Sequence, residues 1–321
     1  MRKIRLMLPS MNGFFTFEAA ARCGNFARAA EELNVTPAAV SRMVGRLEEH
    51  IGFPLFDRLP GGVALTEPGR ILHEAVGRGF SGIERALQEI EDRRIGIETV
   101  TLSVSTGFTT HWMMPHMAEL KRDFPKLELR FQLIMSALGG PVHDVDLGMR
   151  FVDRADARHE LSYIMPEIVL PVCSPSYAEA GVENGRSVSA VRRTIRVIRL
   201  SEAEPDWSHL LPPEAMDPPP ETMDLDDYGI VVQAAMLGQG VALGWLNVVG
   251  HGLRTGALIP FGGRASATGR QCQFMRLRDK PLRPIVADLR DWITRRLRAD
   301  IDAVAGHHPD LGLDGLLRNT M

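Results

Sequence analysis

The sequence predicts a mixed fold, α+β at its N-terminal end and α/β beyond, in three parts: a helix-turn-helix, one long linking helix and a two-lobed α/β domain. Three observations predict it. Two amphipathic helices joined by a short turn occupy residues 27–51. A single apolar seam runs through residues 72–90. From residue 99, strand and helix patterns alternate, with one segment leading out to a second lobe and another leading back.

The first part is the most specific. Ala29, Ala30 and Leu33 share one face of a first helix, and Asn34-Val35 makes a short turn. Thr36 can cap the next helix through its hydroxyl, and Pro37 suits the first helical position, where no amide hydrogen is needed. Val40, Val44, Leu47 and Ile51 then recur at spacings of four, three and four, so one stripe faces inward. Pro37, Ala38, Ser41, Arg42 and Arg46 fall on the outer face. This is the pattern whose second helix enters the major groove of duplex DNA. On spacing alone, an ordinary Ala-rich helical hairpin fits equally well.

The flanking residues separate the two. Phe14-Phe-Thr-Phe17 and Arg22-Cys-Gly24-Asn25-Phe26 precede the pair. Leu47-Glu48-Glu-His-Ile51-Gly52-Phe-Pro-Leu55-Phe56-Asp-Arg58 and Val63-Ala-Leu65-Thr66-Glu-Pro-Gly69 follow it. This run resembles the N-terminal winged helix-turn-helix of LysR-type transcriptional regulators, and the remaining chain fits that family in length and order. The segment Gly240-Val-Ala-Leu-Gly-Trp245 is locally similar to the subgroup related to the glycine-cleavage activator.

The resemblance implies a bacterial, effector-responsive oligomer that binds double-stranded promoter DNA. Its DNA-binding residues would be Thr36, Pro37, Ala38, Ser41, Arg42, Arg46 and Arg58. Ser41 and Arg42 would meet base edges or phosphates, and Thr36 and Arg58 phosphates. Two departures trim the side-chain readout. Pro37 stands where several relatives carry a base-contacting Gln, and the wing tip, Leu59-Pro60-Gly61-Gly62, lacks their basic residues.

The implied boundaries are 1–66 for the winged domain, 67–96 for the linker helix, 97–305 for the effector domain and 306–321 for a tail. In the linker, Leu72, Val76, Phe80, Ile83, Leu87 and Ile90 lie near a 3.5-residue period, and Thr66 can cap its start. Gly77, Gly79 and Gly82 each weaken the helix by about 1 kcal/mol relative to Ala. Packing of the apolar seam must then stabilise it, either against a partner or as an ordinary core helix. The resemblance makes the partner a second subunit, in a homodimer or homotetramer.

In the third part, Thr99–Ser105 and Leu127–Ile134 read as strands around a helix from about Thr110 to Asp123, and Val145–Phe151 as a short strand. A parallel, doubly wound sheet is expected. Glu167–Cys173 leads into the second lobe and Arg270–Leu277 returns. Lobe I is then about 97–168 and 266–305, and lobe II about 169–265. Pro284–Ala305 is a closing helix, and the tail beyond Gly306 shows no pattern. Residues 201–228, with nine acidic residues, no Lys or Arg and six prolines, read as a solvated loop.

Two lobes joined by two crossings resemble the periplasmic-binding-protein-like effector domain of the family, which holds a small molecule between its lobes. The turn Ser105-Thr106-Gly107-Phe108-Thr109 leaves the first strand where an open sheet presents ligand donors. The resemblance places Ser105, Thr106, Phe108, Thr109, Ser136, Arg150, Phe151 and Trp245 in the cleft. Arg150 could hold a carboxylate bidentately. Phe108, Phe151 and Trp245 could instead enclose a quaternary ammonium group. The expected effector is a carboxylate, an amino acid or a quaternary ammonium compound.

Other patterns carry less. Gly238-x-Gly240-x-x-x-Gly244 follows a helix and opens a strand, the reverse of a dinucleotide loop, so a tight turn is expected. His111 and His116 are five apart across Pro115, and His307-His308 falls in the tail, so no metal site is expected. No nucleophile set stands out. Three dispersed cysteines suit a cytoplasmic protein without disulfides. A leader or membrane span is not expected, and neither is a cofactor. The net charge of −3 leaves only a local basic balance for DNA, eight Lys/Arg against six Asp/Glu in residues 1–66. Alternatives are a ligand-independent repressor with a filled cleft, or an enzyme or solute-binding protein on the same two-lobed fold.

Overall fold

The computed structural model describes residues 10–94, 96–134, 145–152, 157–179, 182–183, 186–187, 194–201, 207–262 and 264–318. The chain divides between residues 94 and 95 into two compact units.

The first unit begins with helices α1 (Met11–Cys23), α2 (Phe26–Glu32) and α3 (Pro37–Ile51). Asn34, in the turn between α2 and α3, takes a left-handed φ of 52°, a conformation Asn tolerates through its short polar side chain. Thr36 Oγ1 accepts the Ala39 amide at 3.2 Å, and Pro37 occupies the first helical turn. Val40, Val44 and Leu47 are buried, as their spacing predicts, against Ala29, Ala30 and Phe17. Strands β1 (Phe56–Leu59) and β2 (Gly62–Leu65) pair antiparallel as the wing.

Helix α4 (Glu67–Arg94) divides the predicted seam in two. Leu72, Val76 and Phe80 pack on the core of this unit, and Phe80 stacks on Phe15 at 4.6 Å. Ile83, Leu87 and Ile90 are exposed. A core role therefore accounts for the first half of the seam only.

The second unit is built on one nine-stranded mixed sheet. Strands β3 (Glu98–Ser105), β4 (Leu127–Ile134) and β5 (Leu147–Val152) pair in parallel, with β3 in the middle. Short α5 (Thr106–Phe108), a π turn (Thr109–Met113) and α6 (Met114–Asp123) follow β3 without a break. The helix starts before the expected Thr110. The π turn precedes Pro115, which has no amide to extend an α-helical ladder.

Strand β6 (His159–Cys173) is long enough to serve both lobes. Beyond it lie α7 (Pro175–Glu179), the hairpin β7 (Val182–Glu183) and β8 (Arg186–Ser187), then β9 (Arg196–Leu200), β10 (Glu221–Leu225) and α8 (Tyr228–Met236). Next come β11 (Val241–Trp245), α9 (Leu246–Thr255) and β12 (Ile259–Pro260). Strand β13 (Ser266–Leu277) returns alongside β6, and α10 (Pro284–His307) and α11 (Leu313–Arg318) close the unit.

The expected parallel sheet needs correction. The strand sets β4–β3–β5 and β10–β9–β11 are parallel, but β6 and β13 run antiparallel to each other, β13 antiparallel to β5, and β11 and β12 antiparallel to β6. The cause is the double crossing: one strand goes out and the other comes back. Two loop expectations also need correction. Within residues 201–228, Glu221–Leu225 is a strand beside β9, and its acids pair across the ladder, Arg196 with Glu221 and Arg199 with Asp224. Trp207, Leu210 and Leu211 are buried there. The tail is structured as well, because Leu311 and Leu313 are buried, with Leu316 and Leu317 packed on the same core.

Candidate DNA-reading surface and interlobe site

On α3, Thr36, Pro37, Ala38, Arg42 and Arg46 are exposed and Ser41 is half-buried, all clear of the Val40–Val44–Leu47 stripe. Arg58, on β1, is exposed. Among the described residues, no ion pair engages Arg42, Arg46 or Arg58, so their charges face solvent.

Two further side chains hold this surface together. Glu48, near the C-terminal end of α3, accepts the amides of Leu55 at 2.7 Å and Phe56 at 3.2 Å with Oε1. That ties the start of the wing to the last turns of α3. Asn25 caps α2 through Oδ1 and donates from Nδ2 to the Gly61 carbonyl at 3.0 Å. A shorter Ser could make the cap but could not span to the wing turn. At Gly62 an added Cβ would sit 2.4 Å from the Gly24 carbonyl oxygen, so close approach requires glycine there.

In the second unit, the β3–α5 turn meets the start of α8. Thr106 Oγ1 donates to Asp227 Oδ2 at 2.7 Å. Asp227 Oδ1 caps α8 by accepting the Ile230 amide at 3.2 Å. His111 lies 2.8 Å from the Gly229 carbonyl, which only accepts, so His111 Nε2 carries the proton. Burial lowers the His111 pKa below the usual imidazole value. An added Cβ at Gly107 would lie 2.6 Å from the Tyr228 ring, so glycine permits this contact. Ser105 Oγ accepts the Phe108 amide, and Thr109 Oγ1 donates to the Ser105 carbonyl. The lobes are thus latched by side chains of the chain itself.

The remaining predicted cleft residues are already engaged. Arg150 is buried, and its guanidinium donates to the Ser103 carbonyl and hydroxyl and to the Met149 carbonyl, at 2.7–2.8 Å. Desolvation lowers its pKa to about 10. Phe108 stacks on Trp112 at 5.0 Å, and Trp245 packs edge-on to Tyr228 at 4.7 Å. Phe151 lies under the Arg270 guanidinium at 5.9 Å. Each of the three aromatic rings thus has a separate neighbour. Ser136 lies outside the described residues.

A further cluster sits where β6 and β13 cross. The fully buried Glu167 carboxylate receives Trp245 Nε1 at 2.6 Å, Arg270 at 2.6 and 2.7 Å, and the Thr268 hydroxyl. Glu167 was legible only as part of a strand, because its partners lie 78 to 103 residues away. The glycines of the Gly238–Gly244 run behave as a turn. Gly238 has φ 75°, and a Cβ at Gly240 would lie 2.5 Å from the Arg196 carbonyl oxygen.

The helix-turn-helix of bacterial regulatory proteins of the lysR family matches residues 11–70, and the LysR substrate binding domain matches residues 97–298. The HTH-type transcriptional activator AmpR of Providencia stuartii is 30% identical over 285 residues, covering 88% of this chain and 94% of that protein. The glycine cleavage system transcriptional activator of Escherichia coli K12 is 32% identical over 168 residues, covering 52% and 55%. Full-length CbnR in complex with its target DNA superposes with a TM-score of 0.60 at 14% identity, covering 90% of this chain and 99% of that one. That likeness establishes the shared fold.

Proposed function

This chain belongs to the LysR family of bacterial transcriptional regulators, and from that premise we propose which residues read DNA, what class of effector binds and which surface joins the subunits. As a family member it is a DNA-binding regulator with a small-molecule effector domain, and it is not an enzyme. No helix among the described residues is long and apolar enough to cross a membrane. A cytoplasmic location fits the role.

Promoter DNA is read by the N-terminal half of α3, with Ser41 and Arg42 nearest the bases and Thr36, Arg46 and Arg58 on phosphates. Pro37 and Ala38 contribute shape and apolar contact. With few base-reading side chains, DNA deformability carries a large share of the specificity. The observation that supports this is the exposed α3 face beside a wing fastened by Glu48 and Asn25. Replacing Arg42→Ala should weaken binding to the promoter by about 1–3 kcal/mol in a salt-controlled gel shift. Equal binding by variant and parent would reject this surface.

The effector reading is a small carboxylate or amino acid at the Thr106–Asp227 latch. A ligand carboxylate can replace that of Asp227 at Thr106 and the amides at the start of α5, while an ammonium group can pair with Asp227. Engagement of the Phe108 and Trp245 rings elsewhere argues against a quaternary ammonium. The rival is a ligand-independent regulator, and the same latch favours it, since Asp227 already fills the Thr106 position. Thermal-shift screening over amino acids, small carboxylates and choline derivatives separates the readings. Stabilisation that is lost in Thr106→Val supports the first, and no stabilisation by any compound supports the second.

Subunits pair through the exposed half of the α4 seam. Ile83 and Leu87 line an apolar groove of about 360 Å³ with Phe15 and Phe80, and Ile90 extends the stripe.

A further inference from the structure

Away from the latch, three helices of the second unit bring His116 (α6), His251 (α9) and Asp300 (α10) together, with ligand atoms within 4.8 Å of one another. They edge a cavity of about 400 Å³ that is also lined by Pro115, Glu119, Arg254 and Arg296. We propose that this cluster is a binding site for one divalent transition-metal ion of the zinc class.

The protonation pattern carries the argument. His116 Nδ1 lies 2.7 Å from the Trp112 carbonyl, which can only accept, so the proton sits on Nδ1. In the neutral ring Nε2 is then a lone pair, and it faces Asp300 Oδ2 at 3.4 Å. A cation is needed between these two atoms: a second proton on Nε2, which makes the contact an ion pair, or a metal ion in that proton's place. The same backbone-anchored imidazole is the usual outer-shell arrangement of a metal-bound histidine. Bonds of 2.0–2.1 Å in a tetrahedral site separate neighbouring ligand atoms by about 3.3 Å, so the first edge is already at working distance.

The other two ligands are held similarly. Trp112 Nε1 donates to Asp300 Oδ2 at 2.9 Å, which orients the buried carboxylate. His251 Nδ1 lies 3.1 Å from Arg254 Nη2, and a guanidinium only donates, so Nδ1 also presents a lone pair. Arg254 is the cation now bridging the cluster. Its Nε is 2.7 Å from Asp300 Oδ1 but makes no aligned hydrogen bond, and the side chain is 37% exposed. Arg254 can therefore swing to solvent and leave its place to the metal. His251 is only partly buried and has the shortest path inward. Two imidazoles and one carboxylate select zinc, nickel or copper over calcium or magnesium. Such an ion would join α6, α9 and α10. The inference is independent of which molecule binds at the latch.

The test uses the full chain, stripped with a chelator and titrated with Zn²⁺ by competition against a chromophoric chelator, and with Co²⁺ followed by visible absorption. One equivalent should bind at micromolar or lower concentration, with intense bands of low coordination for Co²⁺. His251→Ala, at a partly buried position, should lose about 10-fold or more in affinity. Arg254→Met should bind more tightly, because the competing guanidinium is gone; a merely structural cluster would not respond in that direction. A control with His307→Ala and His308→Ala should bind as the parent does. Failure of the parent to bind an equivalent, or equal affinity in His251→Ala and the parent, overturns the proposal.

Discussion

The latch between β3 and α8 yields a prediction whose size follows from its geometry. Thr106 Oγ1 donates to the Asp227 carboxylate at 2.7 Å, and both residues are half-buried. A hydrogen bond to a charged partner contributes about 1.5–3 kcal/mol; partial exposure places this one at the lower end. Thr106→Val keeps the shape of the side chain and removes the donor. A unit of residues 95–321 should then melt about 3–6 °C lower. Asp227→Ala removes the acceptor and also the α8 cap, a further loss of about 1 kcal/mol. The double variant should be less destabilised than the sum of the two single variants by about 1.5 kcal/mol, the coupling energy. Tryptophan fluorescence during urea unfolding is a clean assay, because all four tryptophans, at 112, 207, 245 and 292, lie in the second unit. Strict additivity would mean that the Thr106–Asp227 bond contributes no coupling energy.

Two more predictions rest on single observations. Leu87→Asp, at a residue 63% exposed on the outer half of the α4 seam, should convert the oligomer to monomers in light scattering; unchanged mass would move the interface elsewhere. His111 supplies a pH dependence. Burial depresses its folded-state pKa, so as pH falls through the ordinary imidazole value near 6.5 the unfolded chain takes up a proton before the folded one does. Stability is complete above that value and declines below it, and His251, lowered mainly by burial as well, acts in the same sense. His111→Gln should flatten the decline between neutral and mildly acidic pH in melting experiments, and parallel curves would remove His111 as a cause.

The parts legible in the sequence share a short range. Val40, Val44 and Leu47 face inward because an α-helix repeats every 3.6 residues, and Thr36 caps because its hydroxyl reaches an amide three residues on. The turn at Gly238 and the crossing strands were legible for the same reason. The α4 seam was only half legible. Periodicity marks an apolar stripe but not what covers it, so Phe80 and Leu87 look alike in sequence while one packs on Phe15 and the other is exposed.

What the tertiary structure alone decided depends on partners far apart in the chain. Thr106 meets Asp227 across 121 residues, and Trp112 meets Asp300 across 188. No local pattern encodes such pairs, because they follow from sheet order and from where each helix returns. That is why Arg150 could be read as a ligand donor, although its guanidinium is spent on Ser103. It is also why His116, set aside beside His111 for its spacing, proves to face His251 and Asp300 on other helices. The sequence by itself determined the family and most of the elements in their order, but not the strand Glu221–Leu225 or the helix Leu313–Arg318. Packing decided which of their polar groups are already satisfied and which remain able to bind, because a hydrogen bond is settled by distance in space and not by distance along the chain.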